Sequence, residues 1–177
     1  MQNVSPLQQS LILHFGEMGS RWGMNRTVGQ IYALLVFTED PLNAEQIAQS
    51  LEFSRSNVSI GLKELQAWEL ISLQHLPGDR RDYFSVPDDI WEIARTLVMQ
   101  KRRRELDPTL TLMRNKLMED SEQEAYTLNK LTEIHEFLEL IVTWTEEMQA
   151  LSPKDLNRLL KLGGGVSKVL EFTRRSS

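Results

Sequence analysis

Between residues 43 and 86 the apolar spacing switches from a helical to an alternating rhythm, and this switch narrows the possible folds more than any other feature. Asn43 with Gln46 three residues on has the pattern of a capping box, and Ile47, Ala48 and Leu51 then share one helical face. A turn is expected at Glu52-Phe53, after which Ser54 caps a second helix whose Val58, Leu62 and Leu65 point inward. Ile71, Leu73 and His75 next alternate with Ser72 and Gln74, the period of a strand. Pro77-Gly78-Asp79 marks a tight turn, and Phe84 and Val86 alternate on the return. The expected order is short helix, tight turn, helix, and a hairpin over 71–86.

Helical spacing surrounds this stretch. Leu7, Leu11, Phe15 and Met18 recur from Pro6 until Gly19-Ser20 interrupts them. A second segment starts near Asn25, with Val28, Ile31, Tyr32 and Leu35 on one side. Thr38-Glu39-Asp40-Pro41 ends it, because the residue before a proline is pushed out of helical geometry. Pro87-Asp88-Asp89 opens a long helix at about residue 88, with acids at its positive end. Leu106, Leu110, Met113 and Leu117 form a stripe in which Pro108 kinks or restarts the helix. Leu131, Ile134, Leu138, Ile141 and Met148 fall on a 3-4 pattern, and Leu156, Leu159 and Leu160 follow Ser152-Pro153. The expected fold class is mainly α with one β-hairpin, in two halves, 1–104 and 105–177.

Composition excludes several classes of protein. The 177 residues include no cysteine, so disulfides, thiolate metal sites and cysteine nucleophiles are ruled out. Three histidines (His14, His75, His135) leave little material for a histidine-rich metal site. The net charge is −5, so any contact with a polyanion must come from a local basic patch. Apolar runs fall far short of the roughly 20 residues a membrane span requires. The N-terminal stretch lacks the basic start and apolar core of a signal peptide, which makes the cytoplasm the expected location and a membrane partner unexpected.

Helix, turn, helix and hairpin in this order form the winged helix-turn-helix arrangement. Its second helix enters the major groove of double-stranded DNA while the hairpin touches the flanking backbone. With Val58, Leu62 and Leu65 inward, helix 54–65 turns Arg55, Ser56, Ser59, Ile60 and Lys63 outward, and Gln66 follows them. Arginine bonds guanine O6 and N7, serine hydroxyls reach base edges or phosphates, and Ile60 suits a thymine methyl. An ordinary amphipathic helix facing water would carry the same pattern. The hairpin tip, Gly78-Asp79-Arg80-Arg81-Asp82, sets two arginines where a wing reaches phosphates or a minor groove, with Asp79 as a brace. Residues 53–104 carry nine basic and seven acidic side chains, whereas 105–177 carry nine and thirteen, which favours the first half for DNA. Lys101-Arg102-Arg103-Arg104 fits either a phosphate clamp or a plain charged helix segment.

Several of these stretches together resemble the GbsR-type branch of the MarR-like transcriptional regulators. They are Gly23-Met24-Asn25-Arg26-Thr27-Val28-Gly29-Gln30-Ile31-Tyr32-Ala33-Leu34-Leu35, Ser54-Arg55-Ser56-Asn57-Val58-Ser59, Leu62-Lys63-Glu64-Leu65, Pro77-Gly78-Asp79-Arg80-Arg81-Asp82 and Arg102-Arg103-Arg104-Glu105-Leu106-Asp107-Pro108. The resemblance covers residues 15–110 well and the C-terminal third only in helical character. It implies a homodimer with a winged helix-turn-helix DNA-binding part (1–104) and a helical dimerisation and effector part (105–177), which binds a palindromic operator and usually represses transcription. It assigns Arg55, Ser56, Asn57, Ser59 and Lys63 to the reader helix and Arg80 and Arg81 to the wing. The sequence departs at Glu52, where that turn usually has glycine, and at Asn25, where the branch often has proline.

A homodimer is also expected because one helix-turn-helix makes too few base contacts for tight specific binding. The 131–148 stripe either pairs with its mate, with Leu7, Leu11 and Phe15 adding to the interface, or packs within one chain. Family members that respond to choline-like compounds direct attention to Trp144 as an effector contact, with Glu139 or Glu146 adding negative potential. Trp91, Tyr126 and Phe137 are the other aromatics in or beside that half, and plain core packing is the competing role for each. His135 and Glu139 sit at i, i+4 on an acidic helix face, and Gly163-Gly164-Gly165 with Lys168 lacks phosphate-loop spacing. No enzyme, cofactor or metal is expected. The rival class is a winged-helix protein-interaction module that never touches DNA.

Overall fold

Ser5 starts the first helix, α1 (Pro6–Arg21): its Oγ accepts from the Gln8 amide while the Gln8 side chain accepts from the Ser5 amide. Asn25 caps α2 (Arg26–Val36) by accepting from the Thr27 amide. The computed structural model describes residues 4–119 and 125–163. Two compact units divide between Gln100 and Lys101.

In the first unit, α2 is followed by a two-residue strand, β1 (Leu42–Asn43), then α3 (Ala44–Leu51) and α4 (Arg55–Ala67). A hairpin follows, β2 (Ser72–His75) and β3 (Asp82–Ser85), and then α5 (Ile90–Lys101). The sheet is antiparallel in the order β1-β3-β2, with Leu42 opposite Phe84 and Leu73 also opposite Phe84. The core joins Ile12 of α1, Val28 and Ile31 of α2, Ile47 of α3, Leu65 of α4 and Phe84 of β3. Burial of each such side chain contributes on the order of 1.5–3 kcal/mol. Helices α1 and α2 cross where a Cβ on Gly29 would lie 3.2 Å from Gly16 Cα, so two glycines allow the backbones to approach.

Three features are not legible in the sequence pattern. On α1 the buried residues are Ile12 and Gly16, about a third of a turn from the expected stripe, whose Leu7 and Phe15 are exposed and Leu11 and Met18 half-buried. On the hairpin, Leu73 is 42% exposed although it alternates as expected, because β2 is the edge strand and has a neighbour on one side only. Tyr83, across the pleat from Phe84, is buried instead. The third strand, β1, escapes pattern reading because two residues cannot show a period.

In the second unit a π-helical turn (Arg102–Leu106) leads into α6 (Asp107–Met118), followed by α7 (Ala125–Ala150) and α8 (Pro153–Gly163). Pro108 lies in the first turn of α6, directly after the π-helical turn, and the backbone is right-handed helical at Lys101, Leu106 and Asp107, so the proline does not interrupt the helical run. Leu110 is buried, and Leu106, Met113 and Leu117 on the same face are half-buried. Helix α7 has no buried residue along its 26 positions. Gly164, Gly165 and Lys168 lie outside the described residues. No helix among the described residues is long and apolar enough to cross a membrane.

Candidate nucleic-acid interface

Asn43 begins the site. Its side chain is fully buried, and its Oδ1 accepts from the amides of Glu45 and Gln46, each at 3.0 Å. Gln46 Oε1 returns a bond from the Asn43 amide at 2.9 Å, which completes the capping box. Helix α3 then closes through Glu52 in the left-handed region (φ 57°). A residue with a Cβ pays about 1 kcal/mol for that conformation relative to glycine. Ser54 restarts the chain as α4, with its Oγ accepting from the Asn57 amide at 3.2 Å.

Val58, Leu62 and Leu65 anchor α4 as its spacing predicts, each at most 3% exposed. Gly61 lies between them, and a Cβ there would stand 2.6 Å from Ile31 Cδ1. The anchoring leaves Arg55, Ser56, Asn57, Ser59, Ile60 and Lys63 exposed along the other side. The face is therefore polar and basic, with one large aliphatic group, Ile60, 61% exposed at its middle.

The hairpin tip is built around Asp79. Its carboxylate accepts from the Arg81 amide at 2.9 Å, from Arg81 Nε at 3.0 Å and from the Tyr83 hydroxyl at 2.8 Å. The Arg81 guanidinium also lies over the Tyr83 ring, 5.7 Å from its centroid. The Arg81 side chain, then its amide, then the Tyr83 hydroxyl hold the Asp79 carboxyl well below the usual carboxylate range. Arg80 and Arg81 are both exposed. An open groove runs between the hairpin and α4, lined by Glu45, Arg55, Ser59, Lys63, Leu73 and Arg81.

One carboxylate in that groove has no counterpart in the sequence reading. Glu45 Oε1 lies 2.8 Å from Arg55 Nη2. Ten residues separate the two, so only the angle between α3 and α4 brings them together, and no local spacing signals it.

The second unit binds part of the basic run internally. Lys101 pairs with Glu105, and Arg102 pairs with Asp107 at 3.2 Å and Glu146 at 2.7 Å. Glu139 pairs with Arg114 at 3.1 Å and lies 3.5 Å from His135. Both carboxylates suggested as companions of Trp144 are thus held by arginines. The Trp144 ring is half-exposed on α7, about one turn beyond Leu140 and two beyond Phe137, which are also exposed. Among the described residues no three His, Asp or Glu side chains gather as a metal site requires.

A helix-turn-helix continued by an arginine-tipped hairpin and closed by a short third strand is a winged helix-turn-helix domain. Residues 22–82 match the model of the MarR family, a span that runs from the start of α2 to the wing. A crystal structure described as a transcriptional regulator superposes with a TM-score of 0.67 at 18% identity, over 88% of this chain and 99% of its own. Transcriptional regulator Tm0710 from Thermotoga maritima gives 0.39 at 18% identity, over 76% and 91%. MepR, a transcription regulator of a multidrug efflux pump in Staphylococcus aureus, gives 0.38 at 18% identity, over 75% and 93%. No curated protein matches in sequence. The fold is that of the MarR-like winged-helix regulators.

Proposed function

We propose that this protein is a sequence-specific transcriptional regulator of the GbsR-type branch, a repressor that reads a palindromic operator as a homodimer. One observation carries the reading. Three buried aliphatic residues fix the roll of α4, and its free side presents Arg55, Ser56, Asn57, Ser59 and Lys63 beside a wing tipped by Arg80 and Arg81. In this reading Arg55 recognises a guanine, the serines, Asn57 and Lys63 bond base edges or phosphates, and the wing arginines neutralise backbone charge.

The exposed apolar side chains of α7 (Ile134, Phe137, Leu140 and Trp144) support the homodimer, since so continuous an apolar stripe is costly in water. In this reading Trp144 belongs to the dimer face. A choline-like effector at Trp144 is the second reading, and its half-exposed indole is what favours it.

Binding to a duplex from the region upstream of the protein's own gene tests the proposal. Affinity is expected to fall linearly with salt on logarithmic axes, and Arg81→Ala to reduce that slope by about one. Arg55→Ala is expected to cost about 1–3 kcal/mol on the cognate site and relax preference at one base pair. No binding at low salt would instead favour a winged-helix protein-interaction module.

A further inference from the structure

We infer that Glu45, a residue of the first helix of the helix-turn-helix, is a specificity-determining residue that holds Arg55 for base reading and withholds it from phosphates. The inference rests on the DNA-binding reading above and concerns how that site selects its sequence.

An ion pair exposed to water contributes little to folding, commonly 0–1 kcal/mol, so stability is a poor reason for this one. Its position suggests another role. Arg55 is the first residue of α4, where a cation opposes the helix dipole. Its side chain is 83% exposed and so open to phosphates on most sides. The Glu45 side chain is 49% exposed and stands in the first turn of α3, a place the dipole favours for an acid, on backbone fixed by the Asn43–Gln46 capping box. The less exposed partner, on the dipole-favoured site, is therefore the one placed to orient the other.

The charges around the groove bear on the same point. Glu45 faces Arg55 directly and shares the groove with Lys63 and Arg81. Arg81 is already held by Asp79, so each of these two arginines has its own carboxylate. Arg55 has five N–H donors, and Glu45 engages one of the two on Nη2. The remaining donors are available to the paired acceptors of a guanine. On non-cognate DNA the pair stays closed and Arg55 adds no net positive charge toward the backbone.

The test compares wild type with Glu45→Gln, which keeps the size and helix propensity of the side chain but removes its charge. Randomised duplexes of roughly 30 bp, long enough for two half-sites, serve as the selection pool, and poly(dI-dC) serves as the non-specific probe. The E45Q variant is expected to bind poly(dI-dC) about fivefold to tenfold more tightly at 0.1 M salt, with a salt slope steeper by about 0.9, and to lose preference at one base pair per half-site. In an Arg55→Ala background, E45Q is expected to produce none of these three changes. A variant with the wild-type slope, probe affinity and base preferences would overturn the inference while leaving the DNA-binding reading intact. The same gain in an Arg55→Ala background would overturn it too, because the effect would then be general removal of negative charge. A wild-type protein that binds no duplex at low salt would remove both.

Discussion

The Asp79 carboxylate grips Arg81 through the backbone amide at 2.9 Å and through the side chain at Nε (3.0 Å) and Nη2 (2.5 Å), so a single acid fixes both the bend of the wing and the aim of its arginine. Asp79→Asn removes the charge and keeps the shape. The Arg81 amide is then expected to exchange faster with solvent hydrogen, and cognate DNA binding to weaken several-fold. A carboxyl held below its ordinary range contributes stability that is complete above its unfolded pKa and is lost as pH falls toward its native value. Protection at Arg81 should therefore stay constant from neutral pH down to about 4 and decline only in stronger acid.

Glu52 and Glu69 both lie in the left-handed region, at φ 57° and 55°. Glu52→Gly is expected to stabilise the protein by about 0.5–1 kcal/mol, read as a higher denaturation midpoint at unchanged m-value. Glu69→Gly removes the bond that Glu69 accepts from Gln100 Nε2 at 3.0 Å, so its gain is expected to be smaller in the wild-type background than in a Gln100→Leu background. Equal gains in the two backgrounds would show that the Gln100 contact contributes nothing.

Gly61→Ala tests how closely α4 sits against α2. The added methyl meets Ile31 Cδ1, and Ile31 is fully buried, so the end of that side chain has little room to move aside. A loss of about 1–3 kcal/mol is expected in chemical unfolding. A neutral result would mean that α4 shifts to make room, and DNA affinity should then fall without a change in stability.

Tyr32 supplies a pH signature. Burial pushes its phenol up to about 12. Because the native pKa lies above the unfolded one, the contribution is fully present below pH 10 and fades as pH rises from 10 toward 12. Relative to wild type, Tyr32→Phe is expected to lose less stability over that window, by at most about 2–3 kcal/mol. Parallel alkaline unfolding curves for the two proteins would contradict this.

The proposed homodimer makes a prediction for α7. Phe137→Glu places a charge in the middle of the exposed stripe. It is expected to halve the mass measured by sedimentation and to weaken operator binding far more than it weakens binding of a single half-site. A wild-type monomer at micromolar concentration would refute the dimer directly.

The helix-turn-helix was legible because its signals are local. Asn43 and Gln46, Ser54, and the spacing of Val58, Leu62 and Leu65 each act within a few residues, and all of them appear in the structure as read. The Pro77-Gly78-Asp79 turn belongs to the same group. What escaped depends on contacts distant in sequence. β1 exists only because β3 lies alongside it, Tyr83 is buried by that pairing and by the Asp79 carboxylate, and Glu45 meets Arg55 only through the helix crossing. The buried side of α1 escaped for a different reason: apolar periodicity identifies a helix but does not say which apolar side meets the core.

Asn43 has three roles at once. It ends β1, it is hydrogen-bonded to the start of α3 through its own side chain, and it lies opposite Tyr83 in the sheet, four residues from Asp79. The hairpin and the first helix of the helix-turn-helix thus meet at one buried side-chain amide. A displacement of β3 is therefore expected to be felt first at the cap of α3, two residues from Glu45.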